Sequence, residues 1–184
     1  MRIEKLVEQE NVQVKWIHFP LHPETPEEGQ TLEQLFAGRG MDVQRMQQEL
    51  RDRMLAEGLP YGTRTHTYNS RLAQELGAWA ETQPGGEAFH DAAFKAYFVD
   101  AKNIGDIDVL VEVAESIGLP ADKAREVLET RSFKSAVDTD WQKSRQMGVT
   151  GVPTFVANGH GLVGAQPYEN LEALVKHARE QNPS

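Results

Sequence analysis

Hydrophobic positions follow a helical period along most of the chain and a strand period in two places. Ile3, Leu6 and Val7 share one face at i, i+3, i+4, which predicts a helix over Arg2–Gln9. That helix has no N-cap and no approach sequence, so the chain begins inside the element. Val12-Gln13-Val14-Lys15-Trp16 alternates apolar with polar and runs into Ile17-His18-Phe19, the pattern of a strand. Pro20, Pro23 and Pro26 force an extended loop behind it, because each fixes its own φ and disfavours helix at the residue before.

A long helical block follows. Thr31-Leu32-Glu33-Gln34 fits a capping box, and Asp42 opens a helix with Val43, Met46, Leu50 and Met54 on its apolar side, stopped by Gly58 and Pro60. Asn69 is placed to cap a helix that turns Leu72, Leu76, Trp79 and Ala80 inward and ends before Pro84-Gly85-Gly86. Phe89, Phe94, Tyr97 and Phe98 mark an aromatic-rich helix. Ile107, Leu110, Val111, Ala114 and Ile117 mark another, closed by Gly118. Segments around Val127–Leu128 and from Phe133 to Met147 complete the block, which stops at Gly148.

Beyond Gly148 the texture changes. Val149-Thr150-Gly151-Val152-Pro153 leads into a short β-rich run, Thr154-Phe155-Val156-Ala157. Asn158-Gly159 is a hairpin-turn dipeptide, Leu162-Val163 fits the return strand, and Pro167 suits a helix start. Leu171, Leu174, Val175 and Ala178 give a last amphipathic helix. The order is helix, strand, helical block, strand, hairpin, strand, helix, with no internal repeat and no heptad run.

Composition narrows the function classes. The 184 residues suit one domain, or one domain with a sizeable insertion, and 39% hydrophobic with 26% charged residues is ordinary for a packed core. A net charge of −9 and a pI near 5.2 argue against nucleic acid or an anionic membrane as partner. No run is long enough to span a bilayer, and Met1-Arg2-Ile3-Glu4-Lys5-Leu6 lacks the apolar stretch of a secretory signal, so the cytoplasm is the expected location. Cysteine is absent from the sequence, which excludes disulfides, zinc–thiolate sites and thiol nucleophiles within these residues.

Other candidate chemistry is weak. Gly159-His160-Gly161-Leu162-Val163-Gly164 matches G-x-G-x-x-G, but a dinucleotide site needs a βαβ unit, whereas a hairpin occupies this stretch. His18 and His22 with Glu24 would converge on a metal only if helical, and Pro20 and Pro23 forbid that. His66, His90, His160 and His177 are scattered and read as solvated or locally paired. Trp16, Trp79, Trp141 and the Phe89/Phe94/Phe98 group read as core. No cofactor and no metal is expected. For Val152–Pro153 the residues alone leave an ordinary trans turn and a cis turn both open.

At this loop a family resemblance becomes specific. Gly148-Val149-Thr150-Gly151-Val152-Pro153-Thr154-Phe155, then Gly164-Ala165-Gln166-Pro167 and Leu171-Glu172, is similar to the C-terminal signature of the DsbA family of thioredoxin folds, closest to its cytoplasmic FrnE-like branch. Phe19-Pro20-Leu21-His22-Pro23-Glu24 resembles the loop after that family's second strand. Tyr68-Asn69-Ser70-Arg71-Leu72-Ala73 and Phe94-Lys95-Ala96-Tyr97-Phe98 resemble its helical insertion. The similarity spans essentially the whole chain in order and spacing. It implies an α/β thioredoxin fold from residues 1–30 and 148–184, with 31–147 as a large inserted helical domain and the first β-strand missing. It also implies a cis Val152–Pro153 bond, with Thr150, Gly151, Val152 and Pro153 holding the backbone of an extended peptide or disulfide-bearing protein.

The departure is equally specific. The family carries C-x-x-C where a first strand meets a helix, and no position here corresponds to it; Arg2–Gln9 resembles the later turns of that helix. A strand of about 5–6 residues and the active-site turn are thus missing, which would leave two open strand edges that invite another chain. The expectation is that the native protein starts upstream and carries the missing strand and cysteines. The competing reading is a short protein, completed by a homodimer partner or rearranged locally. By resemblance the function is thiol–disulfide oxidoreductase or isomerase, redox-inactive in this chain for want of cysteine. Two rivals are a glutathione-dependent isomerase or transferase of the kappa or 2-hydroxychromene-2-carboxylate isomerase type, with glutathione as partner, and a non-catalytic peptide-binding module.

Overall fold

The computed structural model describes residues 2–181. In chain order the elements are α1 (Arg2–Glu10), β1 (Gln30–Thr31), α2 (Leu32–Leu35), α3 (Val43–Ala56), β2 (His66–Thr67), α4 (Arg71–Ala80), α5 (Phe89–Phe94), α6 (Ile107–Ser116), α7 (Ala121–Thr130), α8 (Lys134–Gln146), β3 (Thr154–Ala157), β4 (His160–Val163) and α9 (Tyr168–Gln181). A single π turn, Lys95–Val99, extends α5. The chain divides into two compact units, Met1–Leu21 with Thr139–Ser184, and His22–Asp138.

Local chemistry sets the boundaries of the helical unit. At α2 both halves of the capping box form: Gln34 N–H donates to Thr31 Oγ1 at 3.1 Å and Thr31 N–H to Gln34 Oε1 at 2.8 Å. Asp42 accepts from Arg45 N–H at 3.0 Å to start α3, and Asp106 accepts from Asp108 and Val109 N–H at 2.8 and 3.1 Å to start α6. Asn69 serves α4 from one position further out, accepting from Arg71 N–H at 2.9 Å while its amide donates to the Thr25 carbonyl at 2.8 Å. Gly118, at φ 83°, ends α6 in the left-handed conformation that glycine adopts without a steric penalty.

The core of this unit lies among α4, α5, α6 and α7. Leu76, Ala80, Leu110, Ala114, Ala124 and Leu128 are buried there with Phe89 and Trp79. Alanines alternating with leucines let the helices approach closely, and each fully buried Leu or Phe stabilises by roughly 1.5–3 kcal/mol. A buried carboxylate, Glu75, sits at the edge of this core, bound by Arg71 and Arg131. Two minimal strands, β1 and β2, pair antiparallel with Gln30 opposite Thr67, a pairing that no sequence pattern announced.

The other unit has a thinner core. Leu6, Leu171 and Val175 are buried, with Ile3, Val12, Phe155 and Tyr168 packed around them. Polar clamps from α1 to α9 and the turn before it supplement it: Arg2 Nη1 donates to the Gln166 carbonyl at 2.9 Å, Tyr168 hydroxyl to Gln9 Oε1 at 2.8 Å, and Arg179 Nη1 to Glu10 Oε2 at 2.8 Å. β3 and β4 form an antiparallel hairpin with Ala157 opposite His160, so Asn158-Gly159 is a two-residue turn. Both turn residues have positive φ, 46° and 78°, as a turn that follows the strand twist requires.

Three expectations are corrected. Val12–Phe19 joins no ladder among the described residues, and Val14 and Trp16 are 42% and 48% exposed. Alternation describes how side chains face, and a strand also needs a partner about 4.8 Å away. Trp16 is therefore surface, and so is Phe94, which is 54% exposed, while Trp79 and Phe89 are core. On α3 only Val43 is buried, and Leu50 is exposed. Among the described residues no helix is long and apolar enough to cross a membrane.

Candidate functional site

The segment between α8 and β3 is shaped by three local devices. Gly148, at φ 69°, turns the chain out of α8, and Val149 N–H returns to the Ser144 carbonyl at 3.0 Å. Thr154 Oγ1 donates to the Gly151 carbonyl at 2.6 Å and folds Gly151–Thr154 into a tight loop. The Val152–Pro153 peptide is cis. The Pro153 carbonyl accepts from Gly164 N–H at 2.8 Å, which carries the β3–β4 pairing one step past the strands.

This places Thr150, Gly151, Val152 and Pro153 together in one loop, with Thr150, Val152 and Pro153 exposed and Gly151 half-buried. Val152 is 49% exposed, and neither its N–H nor its C=O has a hydrogen-bond partner among the described residues. β3 pairs with β4 along one edge, and its other edge has no ladder partner among the described residues. A strand edge of this kind carries a row of N–H and C=O groups that can pair with another extended chain.

The loop's chemistry is that of main chain. From Gly148 to Ala157 no side chain ionises at ordinary pH, and the polar side chains are the hydroxyls of Thr150 and Thr154. Such a loop can hold a backbone by hydrogen bonds and shape, but it offers no acid, base, nucleophile or metal ligand. Among the described residues no cluster of three histidines or carboxylates could hold a metal.

The histidines take individual roles. His18 binds Asp140 through its backbone N–H at 3.2 Å and its ring Nδ1 at 2.8 Å, which ties Val12–Phe19 down near its end. His22 lies 3.7 Å from Glu24, and His90 3.1 Å from Glu81. His160 stacks edge-on against His177 with ring centres 4.5 Å apart. Gly159 and Gly164, the ends of the glycine motif, serve the hairpin turn and its exit.

Comparison with known proteins places this architecture. The crystal structure of a probable DsbA oxidoreductase from Streptomyces coelicolor superposes with a TM-score of 0.89 at 30% identity, covering 100% of this chain and 84% of that one. A putative protein disulfide isomerase from Nitrosomonas europaea superposes with a TM-score of 0.74 at 15% identity, over 98% of this chain and 89% of its own. A 2-hydroxychromene-2-carboxylate isomerase gives 0.71 at 16% identity, over 98% and 88%. At such identities the last two show the fold alone. In sequence, the uncharacterized protein YwbO of Bacillus subtilis is 28% identical over 117 residues, which are 63% of this chain. The chain thus spans 58% of that relative's length. The fold is the helix-rich, strand-poor α/β form of a DsbA-like thioredoxin domain. With the family's DSBA-like thioredoxin domain matching residues 1–176, the chain belongs to that family.

Proposed function

We propose that these residues supply the substrate-holding part of DsbA-like thiol–disulfide oxidoreductase or isomerase chemistry, of the FrnE-like kind. Thr150, Gly151, Val152 and Pro153, with the open edge of β3, hold an extended polypeptide by its main chain. No exchange step runs through the 184 residues themselves, which contain no cysteine. A thiolate must attack the substrate disulfide, and none of the side chains present can take that part.

The observation that carries this reading is the exposed backbone of Val152, beside a strand edge, both without a hydrogen-bond partner among the described residues. Family membership supports it, as does the likeness to a probable DsbA oxidoreductase at 30% identity. The 2-hydroxychromene-2-carboxylate isomerase, at 16%, adds nothing specific for glutathione.

The test is an NMR titration of the isotope-labelled chain with an alkylated, permanently unfolded protein. Saturable shifts centred on 150–157 are expected, together with insulin reduction no faster than the uncatalysed blank. Binding that maps elsewhere, or no binding, overturns the assignment of the loop. Turnover above the blank overturns the absence of exchange.

A further inference from the structure

Gly62 organises a second site, within the unit His22–Asp138. Its N–H donates to the Phe98 carbonyl at 2.8 Å, and a Cβ at this position would intrude on the Val99 carbonyl oxygen. Only glycine lets the chain lie this close to the end of the π turn. Arg64 is thereby set against two aromatic rings, its guanidinium carbon 4.6 Å from the Tyr97 ring centre and 5.2 Å from that of Phe98.

Only part of this guanidinium is used. Nη1 donates to the Tyr97 hydroxyl and, at 3.3 Å, to the His66 carbonyl; Tyr97 in turn donates to Thr67 Oγ1 at 3.1 Å. Nε is buried without an acceptor, and neither Nη2 nor any carboxylate pairing engages Arg64 among the described residues. Arg51 repeats the pattern nearby: its Nη2 donates to Thr63 Oγ1 at 2.7 Å, its Nε is also buried without an acceptor, and it too lacks a carboxylate partner there. Arg71, Arg125, Arg131 and Arg179 find acids; Arg39, Arg53 and Arg145 have no carboxylate partner among the described residues either, but they are exposed, whereas Arg64 and Arg51 are half-buried. Neighbouring carboxylates are engaged elsewhere: Glu49 by Arg45 at 2.9 Å, Asp52 by Gln48 at 2.8 Å, Glu75 by Arg131 at 2.6 Å, and Asp100, just past the π turn, by Lys95 at 2.8 Å.

Arg64 lines a cavity of about 50 Å³ with Thr63, Thr65, His66, Tyr68 and Tyr97. At about 10–15 Å³ per water this holds roughly three to five waters, the bulk of a small oxyanion. A cation stacked on rings as a purely structural staple would not need a second unpaired arginine beside it, nor hydroxyls around the same space.

We propose that this cavity binds a small oxyanion, a carboxylate or phosphate group, through Nη2 of Arg64 and the hydroxyl hydrogens of Thr63, whose oxygen accepts from Arg51, and of Thr65, whose oxygen lies 2.8 Å from His66 Nδ1, with Arg51 adding charge behind Thr63. With both Nη1 hydrogens engaged and Nε enclosed, the two N–H groups of Nη2 are the donors left to meet either group with charge-assisted hydrogen bonds. The site is separate from the Val152 loop and does not depend on the function proposed for it.

The test is an NMR titration of the whole chain with sodium phosphate and, separately, sodium acetate, at constant ionic strength made up with chloride. Saturable shifts at 63–66 and 97–101 are expected, and the stronger arm identifies the group. Arg64→Gln should weaken binding about tenfold or more, the loss expected for a charge-assisted hydrogen bond, and Thr63→Val by less. No saturation, shifts that chloride reproduces, shifts that map elsewhere, or full affinity in a folded Arg64→Gln variant would overturn the proposal. If Arg64→Gln does not fold, the wild-type map and Thr63→Val decide it in the same way.

Discussion

Arg131 meets Glu75 through two bonds, Nε to Oε2 at 2.6 Å and Nη2 to Oε1 at 2.8 Å, with the Glu75 side chain wholly buried. Arg71 takes the same carboxylate at Oε1, 2.6 Å away, and reaches Asp138 at 2.7 Å. Arg131 stands at φ 54°, the left-handed cap of α7, so one residue both ends that helix and anchors α4. Taking one partner from a buried pair leaves the other charge uncompensated, which costs about 3–5 kcal/mol. Here Arg71 remains and the Arg131 side chain is itself partly exposed, so Arg131→Met should destabilise by about 2–3 kcal/mol, below that range. Urea unfolding followed by circular dichroism reads this directly, and an unchanged midpoint would rule out a stabilising role for the pair.

The same carboxylate makes stability depend on acid. Burial, the largest single influence on Glu75, favours its protonated form. The hydrogen bonds and charges of Arg131 and Arg71 together outweigh burial and hold the carboxyl below its ordinary value of 4.5. A carboxyl depressed in the folded state contributes stability that is complete above its unfolded value and lost as pH falls through the folded one. The stability gap between wild type and Glu75→Gln should therefore be flat above about pH 5 and shrink as pH drops below the ordinary carboxylate range. Paired urea curves between neutral pH and pH 3 provide the check; a gap that widens on acidification would contradict the assignment.

Legibility in the sequence followed the range of each interaction. Thr31 with Gln34, Asp42 with Arg45 and Asn158 with Gly159 act within four residues, and the structure forms each as its spacing predicts. The α-helical block was readable because Leu72, Leu76 and Trp79 on α4, and Ile107, Leu110 and Ala114 on α6, recur at helical period. Trp16 and Phe94 were misread because periodicity says which residues share a face and leaves open whether anything covers it. For Val12–Phe19 the pattern was strand-like, yet strand character is completed only by a neighbouring chain. At the candidate site, the family resemblance singled out Thr150–Pro153, while composition and spacing carried no mark of it. Arg64 with Tyr97 left no signal at all, since their residues lie 33 apart and glycine at 62 is meaningful only beside Val99.

His18 and Asp140 test how the extended segment is held. A carboxylate only accepts, so ring Nδ1 carries the proton and donates, and the backbone N–H adds a second bond to the same oxygen. The His18 side chain is 10% exposed, so Asp140→Ala would take away the carboxylate acceptor of two donors in a poorly hydrated place. A loss of about 1–3 kcal/mol in local opening free energy is expected. Hydrogen exchange at 16–19 should accelerate by roughly tenfold or more. Protection equal to wild type would show that Val12–Phe19 is held by something other than this pair.

Val152 tests the loop at the level of a single donor. Its N–H is unpartnered among the described residues, its side chain is half exposed, and no ionisable group lies between Gly148 and Ala157. If an extended chain is held there, the main chain at Val152 does the holding, and the side chain supplies only apolar contact. Val152→Pro deletes the donor, whereas Val152→Ile keeps it and conserves the surface. A neutral hydrogen bond is worth about 0.5–1.5 kcal/mol net, so Val152→Pro should weaken binding of the unfolded probe roughly three- to tenfold. Val152→Ile should leave affinity within about twofold, as conservative surface substitutions do. Fluorescence anisotropy with a labelled, alkylated polypeptide separates the two. Equal losses in both variants would assign the binding to side-chain packing, and the proposed main-chain role of the loop would then fail.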